Sequence, residues 1–348
     1  MGGLTSTIIN LYKMLSGVEA VDVELLLLDQ VDGQTDSIKY KGFRVGDPEK
    51  KLSLFEKLKK YILFRKYLNS IDFDYILDQR YRINPVAEFF FVKFFYSNQK
   101  VIYNIHSSNF NSYLPVNKWF TNYLFKNAYK IVCCSREMAK LVKHRYGLNN
   151  LHVIYNGVDL GSIEVKRKSV FDFEYIIAVG RIETLKQYDK LILSYSKSDL
   201  PKKDIKLVIV GNGTKKAKCK ELAKSLNLLD KIVFTGQVSN PHVYMYGAMF
   251  LVLCSEYEGF PMVLLEALSC EVPLVSFNLL TGPDEVIIPN INGVLVENQN
   301  FESLTKTMNM LVNNEGLLVK FKGETKRSVE KFSNENIIKD WLRLMNIN

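Results

Sequence analysis

Short apolar runs rich in β-branched residues alternate with stretches of helical spacing along most of the chain. The runs lie at 23–28, 75–77, 101–106, 130–134 and 153–155, then at 175–179, 207–210, 232–235, 250–254, 274–277 and 293–296. Strands apolar on both faces are covered on both sides, and the helical stretches between them supply the crossovers that parallel pairing requires. The pattern predicts an α/β protein of βαβ units. A polar stretch, 160–172, separates the two series. It divides the chain into a first Rossmann-like domain at 1–160, a linker at 161–172, a second Rossmann-like domain at 173–335 and a terminal helix at 336–348 that returns to the first domain. At the other end, Gly2 and Gly3 precede a helical pattern over 5–15, in the manner of a strand-to-helix phosphate loop, yet no strand comes before them. Either a first strand is missing or the glycines are a mere terminus, and the pattern leaves both readings open.

Length agrees with the division, since 348 residues exceed one ordinary α/β core. With 24% charged and 47% apolar residues, the chain reads as a folded globular protein. No basic-then-apolar leader is visible, and no apolar run approaches the roughly 20 residues of a spanning helix, which predicts a cytoplasmic location. The five cysteines are odd in number and sit mostly inside apolar runs, as buried thiols in a reducing compartment would. No Cys/His spacing suits zinc.

Charge adds a further division. Residues 1–168 hold 25 Lys and Arg against 16 Asp and Glu, which accounts for the whole net charge of +9. Within them, 50–67 read KKLSLFEKLKKYILFRKY, setting Leu54, Phe55, Leu58, Ile62 and Phe64 at helical spacing among Lys57, Lys59, Lys60 and Arg65. The run EFFFVKFFY follows at 88–96. These segments predict a peripheral contact with an anionic membrane surface. The competing expectation is that their apolar positions pack on the sheet. No nucleic-acid partner is expected.

Ligands of parallel sheets bind beyond the carboxyl ends of the strands. Five such ends in the second half carry glycine or polar loops: Gly180-Arg181 with Lys186, Gly211-Asn212-Gly213, Gly236, the stretch from Ser255 to Gly259, and Thr281-Gly282-Pro283. Arg181 and Lys186 could neutralise a diphosphate, although either alone reads equally as a solvated surface cation. The Gly-Asn-Gly turn lacks the third glycine of a dinucleotide fingerprint, because Lys216 stands there, and no Gly-Lys-Ser/Thr occurs, which excludes a P-loop NTPase. The densest signal is SEYEGFPMVLLEAL at 255–268. Pro261 suits the first turn of a helix, leaving backbone N–H groups of Gly259, Phe260 and Met262 to face a ligand. Glu258 lies in the loop and Glu266 about two turns into the helix, so the two can touch different parts of one elongated ligand.

These residues resemble the retaining GT-B glycosyltransferases of glycosyltransferase family four. The matching motifs are Glu258 and Glu266 with seven residues between them, Gly180-Arg181 with Lys186, and Val210-Gly-x-Gly213. Phe234-Thr-Gly236, Thr281 to Glu285, Asn292-Gly293 and Ile154-Tyr-Asn-Gly-Val-Asp159 also fit. The resemblance spans nearly the whole chain, is densest over 175–297 and is loose over 30–100. It implies two Rossmann-like domains facing across a cleft, with a nucleotide-sugar donor, commonly a UDP-hexose or N-acetylhexosamine, and a glycan, lipid-linked or cell-wall acceptor of bacterial surface polysaccharide synthesis. Glu266 would then hold the ribose hydroxyls and Glu258 the sugar, with Gly259, Phe260 and Pro261 cradling it. Arg181 and Lys186 would carry the diphosphate, Gly3 its far side, and His106 would face the sugar from the first domain. Neither metal nor cofactor is implied, and Asp72-Phe-Asp74 precedes a strand where a metal-binding pair would end one. The absent first strand departs from the family and puts Gly2 and Gly3 in question. A UDP-sugar 2-epimerase of the same fold and a non-catalytic sugar-nucleotide binder remain as rivals, whereas a dehydrogenase would need the missing fingerprint.

Overall fold

The computed structural model describes residues 3–35, 38–47, 49–163 and 170–347. Thirteen strands are found among them. β1 (Leu25–Leu27), β2 (Gly33–Thr35) and β3 (Ile38–Gly42) form a small sheet of order β1-β3-β2. β4 (Ile76–Asp78), β5 (Val101–Ile105), β6 (Lys130–Cys133) and β7 (Leu151–Val153) make a parallel sheet in sequence order. β8 (Tyr175–Val179), β9 (Lys206–Val210), β10 (Ile232–Gly236), β11 (Leu251–Leu253), β12 (Leu274–Phe277) and β13 (Gly293–Val296) form a parallel sheet of order β10-β9-β8-β11-β12-β13.

The α/β reading of the sequence holds, with local differences in the first half. The run at 23–28 joins the small sheet instead of the parallel one; it pairs with β3, a short Ile-Lys-Tyr-Lys alternation outside the apolar runs, and β3 pairs in turn with the polar β2. The run at 153–155 pairs two residues earlier than its apolar pattern suggests, since β7 is fixed by the register Ile131 to Leu151 and Cys133 to Val153. Residues 164–169 of the expected linker, and Gly2, lie outside the described residues.

Alternation along β5 shows how the first parallel sheet is covered. Val101, Tyr103 and Ile105 point into a core shared with Phe64, Phe91, Leu124 and Phe125. Ile102 points the other way, towards Leu11, Leu15, Ile337 and Trp341. Helices therefore cover both faces, as parallel sheets require. The Gly3–Ser16 helix and the Asn334–Leu344 helix share the second of these faces. Around the junction, the backbone of Val158 exchanges hydrogen bonds with Phe332 and Asn334, and Asn10 Nδ2 donates to Asn334 Oδ1 at 2.9 Å. All five cysteines are free and buried. Among the described residues, no helix is long and apolar enough to cross a membrane.

Candidate functional site

The loops after β8, β9 and β10 interlock through their backbones. Gly180 N donates to Val210 O, Ile182 N to Asn212 O and Gly211 N to Gly236 O, each at 2.9 Å. Such an approach leaves no room for side chains: a Cβ on Gly211 would stand 2.0 Å from the Gly180 carbonyl oxygen, at a φ of +144°. Gly213 is likewise pressed against the backbone of Ile182. The glycines thus weld the rim together. Arg181 stands exposed on this rim, and Glu183 braces it by accepting from Thr214 N and Oγ1 at 2.9 and 2.6 Å.

Beside the rim, Lys186 Nζ meets Glu258 Oε1 at 2.5 Å, and Ser255 Oγ donates to the same oxygen at 2.6 Å. The sequence reading put Lys186 on a diphosphate and Glu258 on a sugar. The structure pairs the two directly, because the turn after β8 folds over the loop after β11, where Glu256 N donates to Leu185 O. The pair is mostly sheltered, with side chains 19% and 14% exposed. Desolvation strengthens such a contact relative to a surface ion pair, so it is a defined feature of the site.

The helix that follows begins at Met262, one residue later than the proline position suggested, with Pro261 as an extended cap and no side chain capping its first turn. Glu266 consequently lies just over one turn into the helix, not two. It has no cationic partner among the described residues, and burial pushes its carboxyl up to about 7. Phe260 is buried against Tyr155 and Phe332, with ring centroids 5.3 and 5.5 Å away, and so anchors the loop between the two halves.

The first half reaches this loop through β5. A Cβ on Gly259 would stand 2.2 Å from the His106 carbonyl oxygen, so the two backbones touch. Ser108 Oγ donates to the Glu258 carbonyl at 3.0 Å, and Thr281 Oγ1 donates to the same carbonyl. On the other side, Glu285 accepts from Arg136 N at 2.8 Å, at the start of the Arg136–Tyr146 helix, and from Tyr155 OH at 2.6 Å. Glu258 and His106 are thereby brought to one place.

His106 is held by a residue that the sequence reading did not single out. Its Nε2 lies 2.6 Å from Gln79 Oε1 at the end of β4. With the Gln79 amide oxygen turned to the ring, Nε2 is the donor and Nδ1 is left to accept. That Nδ1, Gln79 Nε2 and Asn104 Oδ1 are buried without hydrogen-bond partners. Burial, with Arg82 nearby, pushes the imidazole down to about 4, so it is neutral near pH 7. Arg82 itself is 1% exposed. It donates to the carbonyls of Tyr113 at 2.7 Å and Asn104 at 2.8 Å and pairs with Asp78 at 3.5 Å. Burial would raise the Asp78 carboxyl, but Arg80 and Arg82 outweigh it and hold it below its ordinary value. The charged residues at 78, 80 and 82 directly after an apolar strand were the one visible signal of this network. Its burial depends on distant segments.

A small cavity beside His106 is lined by Thr7, Asn10, Asn104 and Tyr155. Gly3 heads the helix that contributes Thr7 and Asn10. The structure thus brings Lys186, Ser255, Glu258, Gly259 and the His106 backbone together, with Gly180 and Gly213 in the adjoining rim.

Residues 1–162 match the family model described as Glycosyltransferase Family 4, and residues 162–328 match the one described as Glycosyl transferases group 1. The chain is 30% identical over 244 residues to the N-acetylgalactosamine-N,N'-diacetylbacillosaminyl-diphospho-undecaprenol 4-alpha-N-acetylgalactosaminyltransferase of Campylobacter jejuni, covering 68% of this chain and 65% of that protein. Matches to three curated relatives span between 53% and 65% of their lengths. Its backbone is similar to that of a glycosyltransferase from Rickettsia africae, with a TM-score of 0.81 at 19% identity, over 99% of this chain and 94% of that one. The structure of Anabaena HepE in complex with UDP and glucose is also similar, with a TM-score of 0.76 at 18% identity, over 99% and 96% of the two chains. At such identities the structural likeness speaks to the fold alone. The matches favour glycosyl transfer over the epimerase and non-catalytic readings.

Proposed function

The chain belongs to the GT-B glycosyltransferases, and on that premise we propose that it moves a hexose or N-acetylhexosamine from a UDP-sugar to a glycan or lipid-linked acceptor in polysaccharide synthesis, with retention and without a divalent metal. The observation that carries this reading is the cluster of Lys186, Ser255 and Glu258, set at the mouth of the second sheet against the backbone of His106. A sugar diphosphate needs a cation for its leaving group and an anion near the sugar, and the Lys186–Glu258 pair holds both side by side. The name of the Campylobacter relative supports an α-linked product and a lipid diphosphate acceptor. The UDP and glucose in the HepE structure support the donor class.

In this mechanism the bond from the anomeric carbon to the diphosphate oxygen breaks, and its electron pair leaves with the phosphate. Arg181, Lys186 and the first-turn N–H groups of the 262–269 helix stabilise that charge electrostatically. Glu258 stabilises the positive charge that develops on the sugar ring. The acceptor hydroxyl attacks the same face, and the departing phosphate oxygen takes its proton. Neutral His106 faces the sugar from the first domain without adding charge. Glu266 accepts from the ribose hydroxyls, Gly180, Gly213 and Gly3 border the diphosphate, and the backbone of Gly259 to Met262 cradles the sugar.

The test is to follow the product anomer by proton coupling constants during turnover of an α-linked UDP-sugar with EDTA present. An α-product in EDTA is expected. A β-product, or activity lost in EDTA and restored by magnesium or manganese, overturns the mechanism.

A further inference from the structure

Large exposed apolar side chains in the first half are confined to one region. Apart from Val31, every one among the described residues up to 163 lies on three helical segments or in the turns leading into them. The first is the Leu54–Ser70 helix, started by a reciprocal cap between Ser53 and Glu56. It buries Lys60, Phe64 and Leu68, while Leu54, Phe55, Leu58 and Ile62 face outward, Leu54 at 85% exposure. Two sequence expectations are corrected here. Phe64 belongs to the packed face, and Lys60 is buried and paired with Asp29 at 2.7 Å. The outward face is not packed on the sheet.

The second segment is the Pro85–Phe90 helix with the π-helical turn Phe91–Phe95. Phe91 and Phe95 pack on Tyr61 of the first helix, with centroids 5.8 and 5.7 Å away, while Phe90 and Phe94 stack on each other at 5.4 Å and are exposed. The third is the Lys118–Phe125 helix, joined to the second by Lys93 Nζ, 4.4 Å from the Tyr123 ring. Trp119 on it is 77% exposed. These contacts make the three segments neighbours in one layer. Exposed Lys57, Lys59, Arg65, Lys66, Lys93 and Lys118 are interleaved with the apolar side chains. The only acidic residues within the three segments are Glu56, engaged at its cap, and Glu88, buried against Arg80.

Apolar patches of this breadth mark contact surfaces. We propose that this layer seats the protein on an anionic lipid bilayer, with Leu54, Phe55, Leu58, Phe90, Phe94 and Trp119 entering the headgroup region and the interleaved cations meeting lipid phosphates. Charge complementarity selects this occupant. A second copy would bring two cationic layers together, whereas an anionic bilayer neutralises the layer and accepts its aromatic side chains at the interface. Docking stands on the surface alone and does not depend on the glycosyl-transfer reading. A lipid-linked acceptor would be met at the same membrane.

The chain carries its own probe, since it has two tryptophans, exposed Trp119 and buried Trp341. The full chain is mixed with vesicles of phosphatidylcholine alone or with phosphatidylglycerol added, and both sedimentation and tryptophan emission are read. Expected are binding to the anionic vesicles only, a blue shift absent in Trp119→Phe, and quenching by brominated acyl chains. Phe55→Ser with Leu58→Ser should lower partitioning about tenfold or more, with an unchanged circular dichroism spectrum. Equal weak binding to both vesicles overturns the proposal. So does anionic binding unaffected by the double substitution, which would mean an electrostatic contact without insertion. Self-association abolished by the same substitution would instead identify a second copy as the occupant and also overturn it. Each outcome is read without substrate, so failure here leaves the glycosyl-transfer reading untouched.

Discussion

In the second half, the strands β8, β9, β11 and β12 are buried on both faces, and Arg181, Lys186 and Glu258 stand in the loops beyond their carboxyl ends. In the first half, charge goes beneath the surface: Asp78, Arg82 and Glu88 are buried beside the end of β4, and the apolar surface turns outward on three helices. One half keeps chemistry at its rim on an inert base. The other places a neutral histidine on a buried ionic base. The contrast teaches that similar parallel sheets can serve a cleft in two ways, by loops that bring charge or by a support that sets the protonation state of one side chain.

The largest effect should follow from breaking the ionic base. Arg82→Met removes the cation beside Asp78 and leaves the carbonyls of Tyr113 and Asn104 without their donor. A stability loss of about 3–5 kcal/mol is expected, measured by urea unfolding, while the rim substitution Arg181→Ala should unfold like the parent. An Arg82→Met protein as stable as the parent would erase the contrast.

At the rim, Glu258→Ala should lower kcat about 100-fold or more, because its carboxylate faces charge that develops only in the transition state. Glu266→Ala should mainly raise the Kd for UDP. Identical kinetic signatures for the two would put both glutamates in one role. Lys186→Ala and Arg181→Ala should each weaken UDP binding by about 1.5–3 kcal/mol, read by calorimetry, with Lys320→Ala as an exposed control.

Gln79 sharpens the comparison from the other side. Gln79→Leu should reduce kcat about tenfold, as for one lost hydrogen bond, with UDP affinity unchanged. Gln79→Glu sets a carboxylate beside the imidazole, which favours its charged form, so the acid limb of the pH–rate profile should move upward from about 4. A structural filler would leave that limb in place. The smallest effect concerns Glu266, whose carboxyl is raised to about 7. Its proton must leave before both oxygens accept from ribose, so UDP affinity should rise between about pH 6 and pH 8, by at most tenfold per unit. Glu266→Gln should flatten that rise.

What was legible in the sequence follows the same divide. The strands β8, β12 and β13 match their apolar runs residue for residue, since buried parallel strands need nothing but local apolarity. Loop glycines and Glu258 were visible because each follows a strand end, and Glu266 because it lies in the helix begun right after the Gly-Phe-Pro turn. The Lys186–Glu258 contact was not, as it depends on how one loop folds over another. Lys60 and Phe64 were assigned to the wrong face, because a helix apolar on more than one side does not announce which side packs. Gln79 and Arg82 gain their roles only from contacts with Asn104, His106 and Tyr113, some 20 to 30 residues away, and no short-range pattern encodes those.

The Asn334–Leu344 helix bears on the order in which the protein can be completed during synthesis. The side chains that cover Ile102 and Val132 include Ile337 and Trp341, and Asn10 waits for a partner 324 positions ahead. At ribosomal rates of about 5–20 residues per second, that interval lasts tens of seconds. The second sheet draws all its strands from 175 to 296 and can close on its own as soon as they emerge. The half that is translated first is therefore finished last, and during the wait one of its faces, covered only by the Gly3–Ser16 helix, stays partly open to chaperones.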